Sequence, residues 1–133
     1  MKKYLLLLLI ISLVVFVAIL FQSSPNPVGV YVAKHNVNTI DSLFVNEGGV
    51  YYRAIYGKKN GEVMFKNSGQ WQYKNERIVF SDFFPNDDSE LKEGYNYNSV
   101  LMTYSVPLEK SFGRVVFDYD ETTAKFRFYK LYW

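Results

Sequence analysis

In Gln70-Trp71-Gln72-Tyr73-Lys74 the rings fall on one side of an extended chain, and the amides and the lysine on the other. In Arg77-Ile78-Val79-Phe80-Ser81, Ile78 and Phe80 share a face. A period of two marks a sheet with one dry and one wet side. The same texture, cut by turn residues, runs from Val28 to the end of the chain. Val28–Lys34 is β-branched and aromatic and predicts a first strand. Ile40–Val45, Val50–Tyr56 and Glu62–Lys66 follow, separated by Asn46-Glu47-Gly48-Gly49 and Gly57-Lys58-Lys59-Asn60-Gly61. Asn67-Ser68-Gly69 predicts a further turn before Gln70–Lys74, and Arg77–Phe83 comes after a short Asn75-Glu76 break. Gly and Asn supply the positive φ of tight turns, so hairpins in series are expected.

Pro85–Asn96 is the longest break, with a short helical turn expected between Asn86 and Glu93. Asn98–Val106 places Val100, Met102, Tyr104 and Val106 on one face and stops at Pro107, which cannot join a ladder. Gly113–Tyr119 and Lys125–Trp133 complete the set, with Phe126 and Phe128 facing one way and Arg127 and Tyr129 the other. The expectation is an all-β domain over 28–133: a single antiparallel up-and-down β-barrel, or curled meander, of about eight strands.

The N-terminus follows a different pattern. Lys2-Lys3-Tyr4 precedes Leu5–Phe21, which is apolar except for Ser12. As a helix this stretch rises about 26 Å, close to the roughly 30 Å hydrocarbon core. The two lysines place the N-terminus in the cytoplasm. The apolar run is longer than the h-region of a signal peptide, and Phe21-Gln22-Ser23 lacks the small residues of a cleavage site. Residues 1–21 are therefore expected to be an uncleaved transmembrane signal anchor, with cleavage to a secreted or periplasmic form as the alternative. Residues 22–27, with Pro25 and Pro27, form a short stiff linker.

Charge adds an exclusion. The net charge of +2 resides in Lys2 and Lys3; beyond the apolar run the 13 Asp+Glu are matched by as many Lys+Arg. A nucleic-acid partner would call for a basic surplus, and none is left. The absence of cysteine removes disulfides, thiolate metal sites, thiol nucleophiles and lipoprotein acylation. The core must hold by packing, for which 11 Phe, 12 Tyr and 2 Trp supply material.

The order of motifs resembles a known family. Gly29-Val30-Tyr31 opens the first strand, and residues 43–51 (Leu-Phe-Val-Asn-Glu-Gly-Gly-Val-Tyr) resemble a Leu-x-Leu-Asn-x-Asp-Gly-x-Tyr hairpin, with Gly48 in place of the aspartate. Asn67-Ser68-Gly69-Gln70-Trp71-Gln72-Tyr73 resembles Asn-x-Gly-x-Trp-x-Tyr, followed by Arg77-Ile78-Val79-Phe80. Together these resemble the small lipocalin-like (calycin-type) β-barrel domains of bacterial envelope proteins over residues 28–84. The resemblance implies a barrel and an apolar-ligand cavity, and no catalytic residue.

Candidate sites are few. The single histidine, His35, stands in a polar connection without a nucleophile or metal-ligand motif and reads as an exposed loop residue. Asp87, Asp88, Glu90 and Glu93 crowd one loop without Ca²⁺-loop spacing and read as solvated. Asp118, Asp120 and Glu121 straddle a turn, where acids belong for conformational reasons. Arg53 divides two readings. If Tyr51 and Ile55 face inward, so does Arg53, and its guanidinium wants an anion such as a ligand carboxylate. A shift of one residue puts Val50, Tyr52 and Ala54 inside and Arg53 in water, and this second reading is favoured. Arg53, Tyr51, Trp71, Tyr73, Phe80, Phe117 and Phe128 form the candidate ligand set, with a packed interior favoured over a roomy one. Tyr95, Tyr97 and Trp133 are the candidate partner surface, and Tyr129 and Leu131 share the outer parity of the last strand. No metal, cofactor or enzymatic activity is expected. The predicted role is that of a module tethered to the cytoplasmic membrane through Leu5–Phe21, its C-terminal domain extracytoplasmic. That domain would bind a small apolar or amphipathic ligand or, alternatively, an envelope protein as an interaction, inhibitor or immunity-type factor.

Overall fold

The structure, a computed structural model, describes residues 2–22, 24–33, 38–84, 97–111, 114–118 and 127–132. It opens with one helix, α1 (Lys2–Gln22), whose described side chains, residues 4–17, are all exposed. Among the described residues no helix is long and apolar enough to cross a membrane.

After α1 the described strands form one antiparallel sheet. The strands are β1 (Gly29–Ala33), β2 (Thr39–Val45), β3 (Val50–Gly57), β4 (Val63–Lys74), β5 (Arg77–Phe83), β6 (Met102–Pro107), β7 (Glu109–Ser111), β8 (Arg114–Asp118) and β9 (Arg127–Lys130), with a 3-10 turn at Tyr97–Val100. They lie in the order β6-β5-β4-β3-β2-β1-β9-β8-β7. The two edge strands are consecutive in the chain: Leu108 alone separates β6 from β7. The ribbon therefore curls into a half-barrel whose two edges are joined through Leu108, with no ladder between β6 and β7 among the described residues. Leu108 is buried at this junction, and its N–H donates to the Glu76 carbonyl at 3.0 Å.

Side chains fill the curl. Tyr31, Leu43, Val45, Tyr51, Ile78, Phe80, Phe83, Val106, Phe117 and Phe128 belong to one buried cluster. Its rings form a continuous path. Phe128 stacks on Phe117 at 4.8 Å between centroids, Phe117 meets Phe80 at 5.7 Å, and Phe80 contacts Tyr51 at 5.1 Å and Phe83 at 5.0 Å. Such offset and edge contacts add to the area that each ring buries.

Several expectations change here. The described residues hold nine strands rather than about eight: the segments expected at 62–66 and 70–74 are one strand, β4, while Glu109-Lys110-Ser111 adds β7 by pairing with β8, and Pro107 is the last residue of β6, opposite Arg77, rather than a stop before it. Asn67-Ser68-Gly69 is no turn. It lies inside the continuous strand β4, opposite Arg53, Tyr52 and Tyr51. Gly69 is there because backbones approach closely: an added Cβ would sit 2.4 Å from the Ser81 carbonyl oxygen. The Asn75-Glu76 break is a two-residue hairpin turn with φ of 52° and 61°, the left-handed pair such turns require. Residues 98–100 belong to the 3-10 turn, so the sixth strand starts at Met102. Gln22 ends α1 rather than starting the linker.

Candidate functional site

The four-residue connection Asn46–Gly49 closes on an Asn46 N–H to Val50 carbonyl bond of 3.0 Å, with Gly49 at φ 76°. That turn fixes the register of β2 against β3, and the period of two does the rest. Tyr51, Arg53 and Ile55 face inward, and Tyr52 faces out. The favoured water-facing placement of Arg53 is thereby corrected: Arg53 is 2% exposed. Val50 and Tyr52 stay outside, although Ala54 is buried.

The anion that Arg53 needs is one of the protein's own. Arg53 Nε donates to Asp41 Oδ1 at 2.9 Å and Nη2 to Asp41 Oδ2 at 2.5 Å, a two-pronged pair. Nη1 donates to the Phe84 carbonyl, and the guanidinium lies over the Phe83 ring at 4.3 Å from its centroid. Asp41 shares the inward face of β2 with Thr39, Leu43 and Val45. Sequence reasoning gave Asp41 no role. The available signal was an acid and a base of inward parity on the two strands of one hairpin.

Tyr51 and Asn67 extend this polar seam. At Ser81-Asp82 the register of β5 against β6 shifts, and Asp82 takes a φ of 51°. A bulge of this kind turns carbonyls away from the ladder. The Tyr51 hydroxyl is shared between the carbonyls of Ser81 (2.8 Å) and Asp82 (3.0 Å). Asn67 Nδ2 donates to the Asp82 carbonyl at 2.6 Å and to the Tyr51 oxygen at 3.3 Å. Burial, the main cause, pushes the Tyr51 phenol up to about 12, a shift that its Asn67 hydrogen bond moderates. Three side chains, Tyr51, Asn67 and Arg53, thus hold the carbonyls at 81, 82 and 84.

The other candidates separate into interior and surface. Phe80, Phe117 and Phe128 are fully enclosed in the ring path, and Trp71 and Tyr73 are half-buried against it. Trp71 Nε1 donates to the Asn46 carbonyl at 2.8 Å and also lines an outer groove of about 520 Å³ with Gly48, Gly49 and Val79. His35, Tyr95, Trp133, the acidic loop 87–93, Asp120 and Glu121 lie outside the described residues, as does the side chain of Tyr97. Asp118 pairs with Arg127 through two bonds of 2.6 Å. Among the described residues no three His, Cys, Asp or Glu come together to hold a metal ion.

The outer wall carries a feature that the sequence only half announced. Leu131 N–H bonds the Val30 carbonyl at 2.8 Å, Val30 faces Phe44, and Phe44 faces Tyr52. Leu131, Val30, Phe44 and Tyr52 therefore form one outward row across four segments of chain, with Tyr129 and Val32 paired beside it. Exposures of 36% for Leu131, 42% for Phe44, 53% for Tyr52 and 41% for Tyr129 make this an uncovered apolar band. A depression of about 440 Å³ adjoins it between Phe44, Tyr52 and Lys66.

Compared with known proteins, the chain matches no family model, no curated protein and no solved structure.

Proposed function

We propose that the chain is a membrane-tethered β-barrel module that acts by binding through its outer wall rather than by catalysis. One observation carries the reading. The interior is occupied by its own rings and by the paired charges of Arg53 and Asp41, while Leu131, Val30, Phe44, Tyr52 and Tyr129 leave an apolar band outside. A small apolar ligand inside the barrel is the weaker reading, because Asp41 already takes the Arg53 guanidinium and Phe80, Phe83, Phe117 and Phe128 occupy the middle.

The tether is the whole of α1. Its sequence is apolar from residue 5 to residue 21 except for Ser12, and its described side chains touch no strand closely enough to be covered. A helix that is apolar on every side asks for a bilayer or a protein around it. Lys2 and Lys3 orient it with the barrel on the extracytoplasmic side of the cytoplasmic membrane, in keeping with the lipocalin-like envelope domains that residues 28–84 resemble.

The test is the membrane fraction of cells making the full chain. N-terminal sequencing and an alkaline wash should give an uncleaved chain that stays with the membrane. Native mass spectrometry in detergent should give the mass of the bare polypeptide. A chain starting at or after residue 23 removes the tether, and a tightly held small lipid that persists in an F44S/Y52S double variant removes the outer-wall reading.

A further inference from the structure

α1 ends at Gln22, and the chain is held to the barrel again from Asn26, so only residues 23–25 separate the two. Two bonds make the attachment, and a local one braces it. Lys130 Nζ donates to the Asn26 carbonyl at 2.9 Å, the Tyr31 hydroxyl to the Pro27 carbonyl at 2.7 Å, and the Val28 N–H to the Asn26 side chain at 2.9 Å. Lys130 reaches Asn26 by crossing Gly29, where a Cβ would lie 2.5 Å from Lys130 Cε and where φ is 147°. The four peptide steps from Gln22 to Asn26 span at most about 14 Å.

That short link enters beside the apolar band. Val30, the second residue of β1, is itself a member of the row, and Leu131 bonds to it. Along the register the row runs Leu131, Val30, Phe44, Tyr52, Ser68, and the next runs Val116, Tyr129, Val32, Ser42, Ala54, Lys66. Neither holds a carboxylate. Tyrosines with apolar bodies and polar tips, next to lysines that extend along apolar surface, are the side chains that settle among lipid headgroups. A link of this length also keeps the band at high effective concentration near the bilayer, so weak contacts suffice.

We infer that the outer face built from Leu131, Val30, Phe44, Tyr52 and Tyr129 rests on the surface of the same bilayer that holds α1. The barrel then lies against the headgroups instead of standing clear of them. This rests on the tethered reading, and the experiment keeps the two apart.

The chain contains no cysteine, so single-cysteine variants report one position each. Full-length protein carrying L9C, F44C, Y129C or K59C is spin-labelled and reconstituted in vesicles of phosphatidylethanolamine with a minority of phosphatidylglycerol. Collision with a water-soluble nickel complex is then measured. Lys59 lies in the turn after β3, at the far end of the strands from the tether. Labels at 44 and 129 should collide at least about threefold less often than the label at 59, as interfacial burial requires, and the label at 9 should be shielded most. A label at 44 as accessible as that at 59, with 9 still shielded, overturns the docking and leaves the tether standing. An accessible label at 9 overturns the tether itself. Shielding at 44 that vanishes when protein is diluted at constant lipid overturns the lipid contact in favour of a second copy of the chain.

Discussion

Arg53 and Asp41 grip each other diagonally across the β2–β3 hairpin. Leu43 stands directly opposite Arg53, yet the Nε and Nη2 groups reach two residues along to both carboxylate oxygens, at 2.9 and 2.5 Å. Both residues are enclosed, and Phe83 covers the guanidinium. Removing one partner strands the other charge in an apolar surrounding. R53M should therefore cost about 3–5 kcal/mol. Replacing both, in D41L/R53M, should recover most of that loss, because no unpaired charge remains. Urea midpoints of the two variants and the parent check this. A double variant as unstable as the single one would show that the pair does more than neutralise itself.

The contact of Phe80 with Phe117 joins β5 to β8, strands that share no ladder and lie far apart in the ribbon order. It stands with the Leu108 junction as a link between the two ends of the curled sheet. F117A should cost about 3–5 kcal/mol through lost burial and the cavity left behind. In a double-mutant cycle with F80L, the coupling between the rings should be about 0.5–1.5 kcal/mol. A coupling near zero would leave the Leu108 junction alone to hold the two ends of the sheet together.

Two glycines separate close approach from simple turn chemistry. At Gly69 an added Cβ meets the Ser81 carbonyl oxygen at 2.4 Å and the Tyr51 ring at 2.8 Å, whereas at Gly48 nothing lies within 4 Å. G69A should destabilise by about 1–3 kcal/mol, the usual cost of overpacking. G48A should be neutral, or stabilising by up to about 1 kcal/mol, by restricting the unfolded chain. Thermal midpoints in parallel decide, and equal losses at both sites would mean that Gly48 is also held by its backbone.

The same glycine shows why the sequence was legible only in part. The turns expected at 46–49 and 57–61 are present, since nothing in the fold competes with their backbone preference, the second starting at Lys58 because Gly57 ends β3. The faces of Tyr73, Ile78, Phe128 and Tyr129 follow from alternation because one side of each strand is dry. Asn67-Ser68-Gly69 is written in the same letters as a turn, but there the glycine admits a neighbouring carbonyl and the asparagine caps one. Such roles depend on β5, which is remote in sequence. Arg53 misled for a related reason: a lone charge belongs in water, and only the pairing of β2 with β3 brings Asp41 alongside. Glu109-Lys110-Ser111 has no apolar alternation, so β7 is a strand by virtue of its partner alone.

Tyr51 supplies a pH dependence with a definite sign. Burial pushes its phenol from the ordinary value of 10.0 up to about 12, and Tyr31, more deeply enclosed and close to Tyr132, moves further in the same direction. In the unfolded chain both ionise near 10. Between pH 10 and 12 the folded state therefore holds more protons than the unfolded one, so stability present below pH 10 is lost as pH rises. Lys130 acts oppositely. Burial lowers its value, so its contribution rises with pH, and it does so below about 10.4, where a free lysine titrates. A Y51F variant isolates the phenol. At neutral pH it should be less stable than the parent by about 1–3 kcal/mol, because the carbonyls of Ser81 and Asp82 lose a buried donor. As pH climbs from 10 towards 12 that gap should narrow, since only the parent is penalised for keeping the Tyr51 proton. Urea titrations of both proteins at pH 8, 10 and 11.5, read as the difference in midpoint, follow the effect. A gap that stays constant or widens would mean that the Tyr51 hydroxyl meets water in the folded protein and that the bulge at Ser81-Asp82 is held by Asn67 alone.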